Sequence, residues 1–326
     1  MVDPVPIRTL TVGVNTPVQP LSKFCQLGIE HLTSKKELPR RSKSTKEVLQ
    51  RVTIINENYQ PINPEALLVF PDIKAMYPNT DINEGLASIH RRLLSNPSPL
   101  GLSAELLVEG LRICLECNCV QFQGKFYLPS RGSAMGPCHA CDFTDVWIGD
   151  VMEKHINTCP VETLDPSIYR DDMFDVLKQQ EDLQKFKDHL ESIHDNLTFD
   201  VRSGKEGEYL DLWLMLKDGS IEWKVFTKTP PVYLSPKSCH DPQVFKGIHK
   251  GVGHRLRINS STDQYFEEAV EEYSQAFTVS GYSYKKTKNE LMKFKTKNPV
   301  DMIKDTSRRK EQNSVGCKVF YVGHFK

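Results

Sequence analysis

The chain has 326 residues, 39% hydrophobic and 26% charged, with 42 basic and 42 acidic side chains. That length supports two or three domains, each with its own core. Apolar runs such as 66–70 are far too short to cross a bilayer, and Met1-Val2-Asp3-Pro4 offers neither the basic nor the apolar region of a secretory signal.

The zero net charge hides an uneven distribution. Residues 1–60 hold nine Lys/Arg against five Asp/Glu, 241–326 hold sixteen against ten, and the stretch between holds 17 against 27. An acidic centre between basic flanks suits a protein that grips a polyanion and places metal in the middle. Nine cysteines, an odd number, read as reduced thiols of an intracellular protein rather than a disulfide framework.

In chain order, Arg8 to Val14 alternates like a strand, and Pro20 to Ile29 has helical spacing. Ser34 to Lys46 is polar and basic and reads as a solvated loop. A helix is expected over Thr45–Asn58, then a strand at Ala66–Phe70 whose continuous apolar run fits burial on both faces. Asp81–Leu94 and Ser103–Cys114 read as helices, Val120–Tyr127 as a hairpin turning at Gly124, and Ala140–His155 as another helix. Glu181–His194 is amphipathic, a strand begins at Leu197, and Tyr209–Leu216 with Ile221–Thr227 forms a hairpin about Lys217-Asp218-Gly219-Ser220. From Ser235 helical signals take over at 244–257, 263–279 and 284–294, the last rich in lysine.

Two candidate sites stand out. In Tyr169-Arg170-Asp171-Asp172, adjacent carboxylates sit between apolar residues that read as two short strands meeting at a turn. Adjacent acids repel, and burial worsens the repulsion. A hard divalent cation removes it, whereas the plainer reading is a solvated turn. Asp72 ends the apolar strand, where a charge is disfavoured unless it has a task. If the strands pair, Asp72 and Asp171 point to one spot, the arrangement of two-metal nucleotidyl transfer.

The rival is zinc. Cys114-x2-Cys117 and Cys138-x2-Cys141 have a zinc-like spacing, with Cys119, His139, His155 and Cys159 as further ligands. Against it, Cys114 and Cys117 continue a helical periodicity, and Leu115-Glu116 supplies no turn. Small buried thiols are the simpler reading.

The ordered set of motifs resembles reverse transcriptases, and most of all the Penelope-like retroelement group related to telomerase reverse transcriptase. It comprises Phe70-Pro71-Asp72-Ile73-Lys74-Ala75-Met76-Tyr77-Pro78, Gly124 to Tyr127 with Gly132-Ser133-Ala134-Met135-Gly136, and Ile168 to Phe174. Tyr209 to Leu212, Lys224 to Lys228, Tyr233-Leu234, Ser238-Cys239-His240 and Gly281-Tyr282 follow. The likeness runs from about Arg8 to Phe294.

It implies an α+β right-hand polymerase: partial fingers over 1–65, a palm of antiparallel sheet and helices over 66–234, and a helical thumb and tail over 235–326. The implied activity is RNA-directed DNA polymerisation, with Asp72, Asp171 and Asp172 holding two magnesium ions and manganese as a substitute. Tyr77 would be a steric gate against the ribose 2′-hydroxyl. Ile73, Arg8 and Gly132 would meet the dNTP, and Met135, Gly136, Lys224 and Lys228 the RNA template and DNA primer. No membrane is involved, and nuclear action is implied.

Pro129 and Ile168 stand where the family has glutamine and arginine. The first fingers motif and a downstream GIY-YIG endonuclease are not expected in this chain. A non-catalytic nucleic-acid-binding remnant of the same fold is the alternative function, and a zinc-binding interaction module built on the four paired cysteines is a third.

Overall fold

The computed structural model describes residues 15–129 and 131–305. Arg8 with its expected strand, and the basic Arg308-Arg309-Lys310, lie outside the described residues. The first half of the chain runs α1 (Gln19–Ile29), α2 (Thr45–Tyr59), β1 (Leu67–Ile73), the short α3 (Met76–Asn79), α4 (Ile82–Ser95), α5 (Ala104–Glu116), the hairpin β2 (Val120–Phe122) and β3 (Lys125–Tyr127), and α6 (Ala140–Thr158). Then come β4 (Ser167–Tyr169), β5 (Asp172–Leu177), α7 (Leu183–Ser192), β6 (Phe199–Gly204), β7 (Glu206–Tyr209), β8 (Leu212–Lys217) and β9 (Ser220–Val225). Four helices close the described chain: α8 (Pro242–Ile258), α9 (Asp263–Val279), α10 (Tyr284–Met292) and α11 (Pro299–Lys304). Ser44, Asp81, Ser103 and Thr262 each accept the backbone N–H three residues on, which satisfies a donor the first helical turn would leave bare. Among the described residues no helix is long and apolar enough to cross a membrane.

The centre is a four-stranded antiparallel sheet in the order β4-β5-β1-β6. β1 is buried on both faces because it has a core on each side. Leu68 and Phe70 join Phe174, Tyr209 and residues of α2 and the β7-β8-β9 sheet. Val69 and Ile73 meet Trp147 and Met152 of α6 and Phe186 and Leu190 of α7. A third cluster joins α1, α4, α5 and α6, and a fourth joins α8, α9 and α10. Pro71 interrupts β1 without expelling it from the sheet. It has no N–H to give, and the ladder to β5 lapses between Val69↔Asp175 and Asp72↔Asp172.

Two expectations change, and one helix was not expected. The stretch 34–46 is not a solvated loop: Arg40 pairs with Asp165 and Arg41 with the buried Asp145. The N–H of Ile168 donates to Arg40 O at 3.0 Å, and the N–H of Ser42 to Ile168 O at 2.7 Å. Distant acids, invisible to local composition, draw the basic segment onto β4. Tyr209–Leu216 is not one strand: Tyr209 ends β7, which carries no apolar alternation, Leu210 turns with φ 55°, and β8 begins at Leu212. At Gly207 the Phe70 ring lies 2.4 Å from where a Cβ would stand. The six-residue α11 was too short for periodicity to reveal.

Asp175 on β5 is 3% exposed and faces the α6 side of the sheet. Burial pushes its pKa up to about 7, against hydrogen bonds from the Val176 N–H and the Thr163 side chain. The folded protein therefore holds this proton more tightly than the unfolded chain does. The resulting stabilisation is complete below about pH 4 and is lost as pH rises through about 7. Asp175→Asn should flatten that decline and gain on the order of a few kcal/mol relative to the parent at pH 8. Urea denaturation at pH 5 and pH 8 checks it, and an unchanged pH slope would count against it.

Candidate active site

Backbone register assembles the acids. Asp72 pairs with Asp172 across β1 and β5, and Tyr169 pairs with Asp172 across β4 and β5. Arg170 and Asp171 are thus the two turn residues of a tight hairpin, and Arg170 takes the left-handed φ of 57° that such turns need at their first position. The Ile73 N–H donates to Asp171 O at 2.9 Å, tying the turn to the end of β1. Directly opposed antiparallel residues have Cα atoms about 4.5–5.5 Å apart. Asp72 lies on the Phe70 face and Asp172 on the Phe174 face, which is one side of the sheet.

The electrostatics fit a cation. Burial first, then the charges of Asp171 and Asp72, push Asp172 up to about 6, while Lys228 and Arg202 pull the other way. Both cations also face Glu208, at 3.8 and 3.0 Å. Carboxylate oxygens that repel one another are a donor set suited to a hard divalent ion. The side chains nevertheless stand apart: among the described residues, the one cluster of three or more His, Cys, Asp or Glu with all ligand atoms within 4.8 Å is His155, Cys159 and His189. The carboxylates of Asp72, Asp171 and Asp172 do not close to that spacing.

Tyr77 follows on α3. Its hydroxyl donates to Cys141 Sγ at 3.4 Å, and burial and that bond hold it as the neutral phenol. The Gly132 loop packs on the same turn: the Ser133 N–H donates to Tyr77 O at 2.8 Å, and Gly132 takes φ 82°. Met135 is half-buried and Gly136 exposed further along this loop. Ile73 is 1% exposed, so its side chain belongs to the core and its backbone alone meets the acid turn. Lys228 is exposed and acts on Asp172, whereas Lys224 is half-buried on β9 opposite Trp213.

The four paired cysteines do not form one set: three share a cavity, and Cys141 is not among its lining. Cys114, Cys117 and Cys138 line a cavity of about 410 Å³ with Cys119 and His139. Cys114 shares a hydrogen bond with Cys25, and Cys141 takes the one from Tyr77.

Three residues escaped the sequence reading. Tyr209, 3% exposed, donates to Ser167 O and lies 3.4 Å from Asp172 O, bracing the hairpin from below. Ser133 buries a hydroxyl without a partner beside Tyr77. Asp200 pairs with Asp72 on its β6 side. Nothing in the local sequence marks Ser133 or Asp200; Tyr209 lay within a family-like motif, but its bracing role did not.

No protein-family model and no curated protein matches the chain. Solved structures do. Telomerase from Candida albicans in complex with a TWJ fragment of telomeric RNA matches with TM-score 0.64 and 11% identity, over 88% of this chain and 52% of that one. Apo telomerase from Candida tropicalis gives 0.53 and 13%, over 88% and 55%. The BmCPV RNA-dependent RNA polymerase at elongation state gives 0.50 and 11%, over 80% and 24%. The chain spans about half the length of these telomerases. At such identities the likeness is one of fold: α+β, with a palm-like antiparallel sheet and packed helices.

Proposed function

We propose that the chain is an RNA-directed DNA polymerase domain of a retroelement, of the Penelope-like group whose motif order it carries. One observation supports this above all: Asp72 and Asp172 are opposed on one side of a palm-like sheet, with Asp171 tied to the end of the same strand. In this reading Asp72 and Asp171 hold two magnesium ions, or manganese in their place, and Asp172 supports them. Such ions, when bound, supply Lewis acidity to the attacking hydroxyl and the leaving pyrophosphate.

The remaining work falls to the chain. Tyr77 stands beside the incoming sugar and disfavours a 2′-hydroxyl. Gly132 and Gly136 let backbone approach the base and template, and Lys224 and Lys228 hold the primer end. The primer 3′-oxygen then bonds to the α-phosphate as the bond to pyrophosphate breaks. Residues 1–65 serve as partial fingers, 66–234 as palm, and the basic helices after 235 as a thumb gripping the hybrid by its phosphates. The same reading implies action in the nucleus.

A second reading is a non-catalytic nucleic-acid binder on the same fold, whose basic helices after 235 would grip a backbone without any metal. Primer extension on an RNA template separates the two. Incorporation of dNTPs in magnesium or manganese carries the polymerase reading, and RNA–DNA binding without extension in either ion carries the other.

A further inference from the structure

Away from the acid turn, the end of α6 meets α7. Cys159 caps the end of α6, its N–H donating to His155 O one turn back, and His189 comes from α7. One ligand atom from each lies within 4.8 Å of the others. The imidazoles of His155 and His189 lie 5.0 Å apart, and Phe186 closes on His155 edge-on at 5.4 Å.

We propose that His155, Cys159 and His189 form a site for one zinc-class divalent cation that clamps the end of α6 to α7. The site goes beyond the polymerase reading and does not depend on it.

Three observations point to a ligand. His155 is 3% exposed, and its Nδ1 is buried without a hydrogen-bond partner, a state a folded protein normally avoids. Nε2 of His189 lies 3.3 Å from His155 O and 3.3 Å from Thr158 Oγ1. Donation there orients the ring and leaves Nδ1 with its lone pair, the second-shell arrangement of metal-bound imidazole. Burial, with Asp175 and Asp182 nearby, keeps Cys159 as the thiol against a hydrogen bond from the Val161 N–H, so an ion has to displace its proton. His155 and Cys159, though not His189, also line a cavity of about 310 Å³ that they share with Asp175, Arg40 and Lys178.

The donor set selects the metal. Two imidazoles and a thiolate suit zinc and disfavour magnesium or calcium. Tetrahedral bonds of about 2.0–2.3 Å place ligand atoms roughly 3.3–3.8 Å apart, so small side-chain rotations complete three positions and leave the fourth to solvent. Binding exchanges the Cys159 S–H for a sulfur–metal bond and releases the proton to water.

Cobalt(II) titration of the chelator-treated full chain tests this. One equivalent should produce a thiolate-to-cobalt charge-transfer band with the d–d absorption of a tetrahedral site, and zinc should abolish both. Cys159→Ser should remove the charge-transfer band, and His189→Asn should weaken binding at least about tenfold. Cys138→Ser should change neither. X-ray absorption of the unmutated zinc-loaded chain should read one sulfur and two imidazole nitrogens, and keeps the test open if a variant does not fold. No cobalt–thiolate band, a band lost with Cys138→Ser and kept in Cys159→Ser, or a sulfur-only shell would overturn the site.

Discussion

Asp171→Asn should reduce primer extension on an RNA template by on the order of 10³-fold or more. The change removes one charge and keeps the shape. Asp171 contributes its backbone oxygen to the Ile73 bond, which an asparagine preserves, and its charge is among those that push Asp172 up. Losing that charge relieves repulsion, so the melting temperature should hold or rise while activity disappears. A variant that keeps extending would remove Asp171 from the chemistry. Loss of activity together with a lower melting temperature would instead point to a structural role for this turn.

Gly132→Ala should cost at least about 2 kcal/mol of stability, well above Gly101→Ala. Both glycines adopt positive φ, 82° and 69°. A Cβ at Gly101 would meet nothing within 4 Å, whereas at Gly132 it would stand 2.4 Å from Pro78 O and 2.6 Å from Pro78 C. These are backbone atoms, with no flexible side chain to yield. The Ala at Gly101 therefore reports the conformational penalty alone, about 1 kcal/mol, and the excess at Gly132 reports the loop pressing on the Tyr77 turn. Because the Ser133 N–H to Tyr77 O bond lies next door, an active chain should also show a raised KM for dNTP. Equal denaturation midpoints for the two variants would sink this account.

Much of the acid turn was legible before any fold was known. A two-residue break between apolar flanks already reads as a hairpin, and charge at the end of an apolar strand already asks for a partner. The pairing of Asp72 with Asp172 was not legible, since register depends on which strands meet. The basic segment at 40–41 misled for the same reason. Its partners, Asp145 and Asp165, lie over a hundred residues away, so composition could only suggest solvent. The cysteines have a zinc-like spacing that the sequence reading set aside for their helical periodicity, and in the fold Cys114 meets Cys25 while Cys141 takes the Tyr77 hydroxyl.

By itself the sequence determined most of the helices and strands and the kinds of side chain available for chemistry, because these follow from local periodicity, caps and residue type, whereas the class of the fold was what the resemblance of its ordered motifs implied. Tertiary structure alone decided which acids stand together, how far apart their carboxylates rest, and that His189 joins His155 and Cys159. Those outcomes depend on contacts between segments distant in the chain, and short-range patterning carries no information about their geometry.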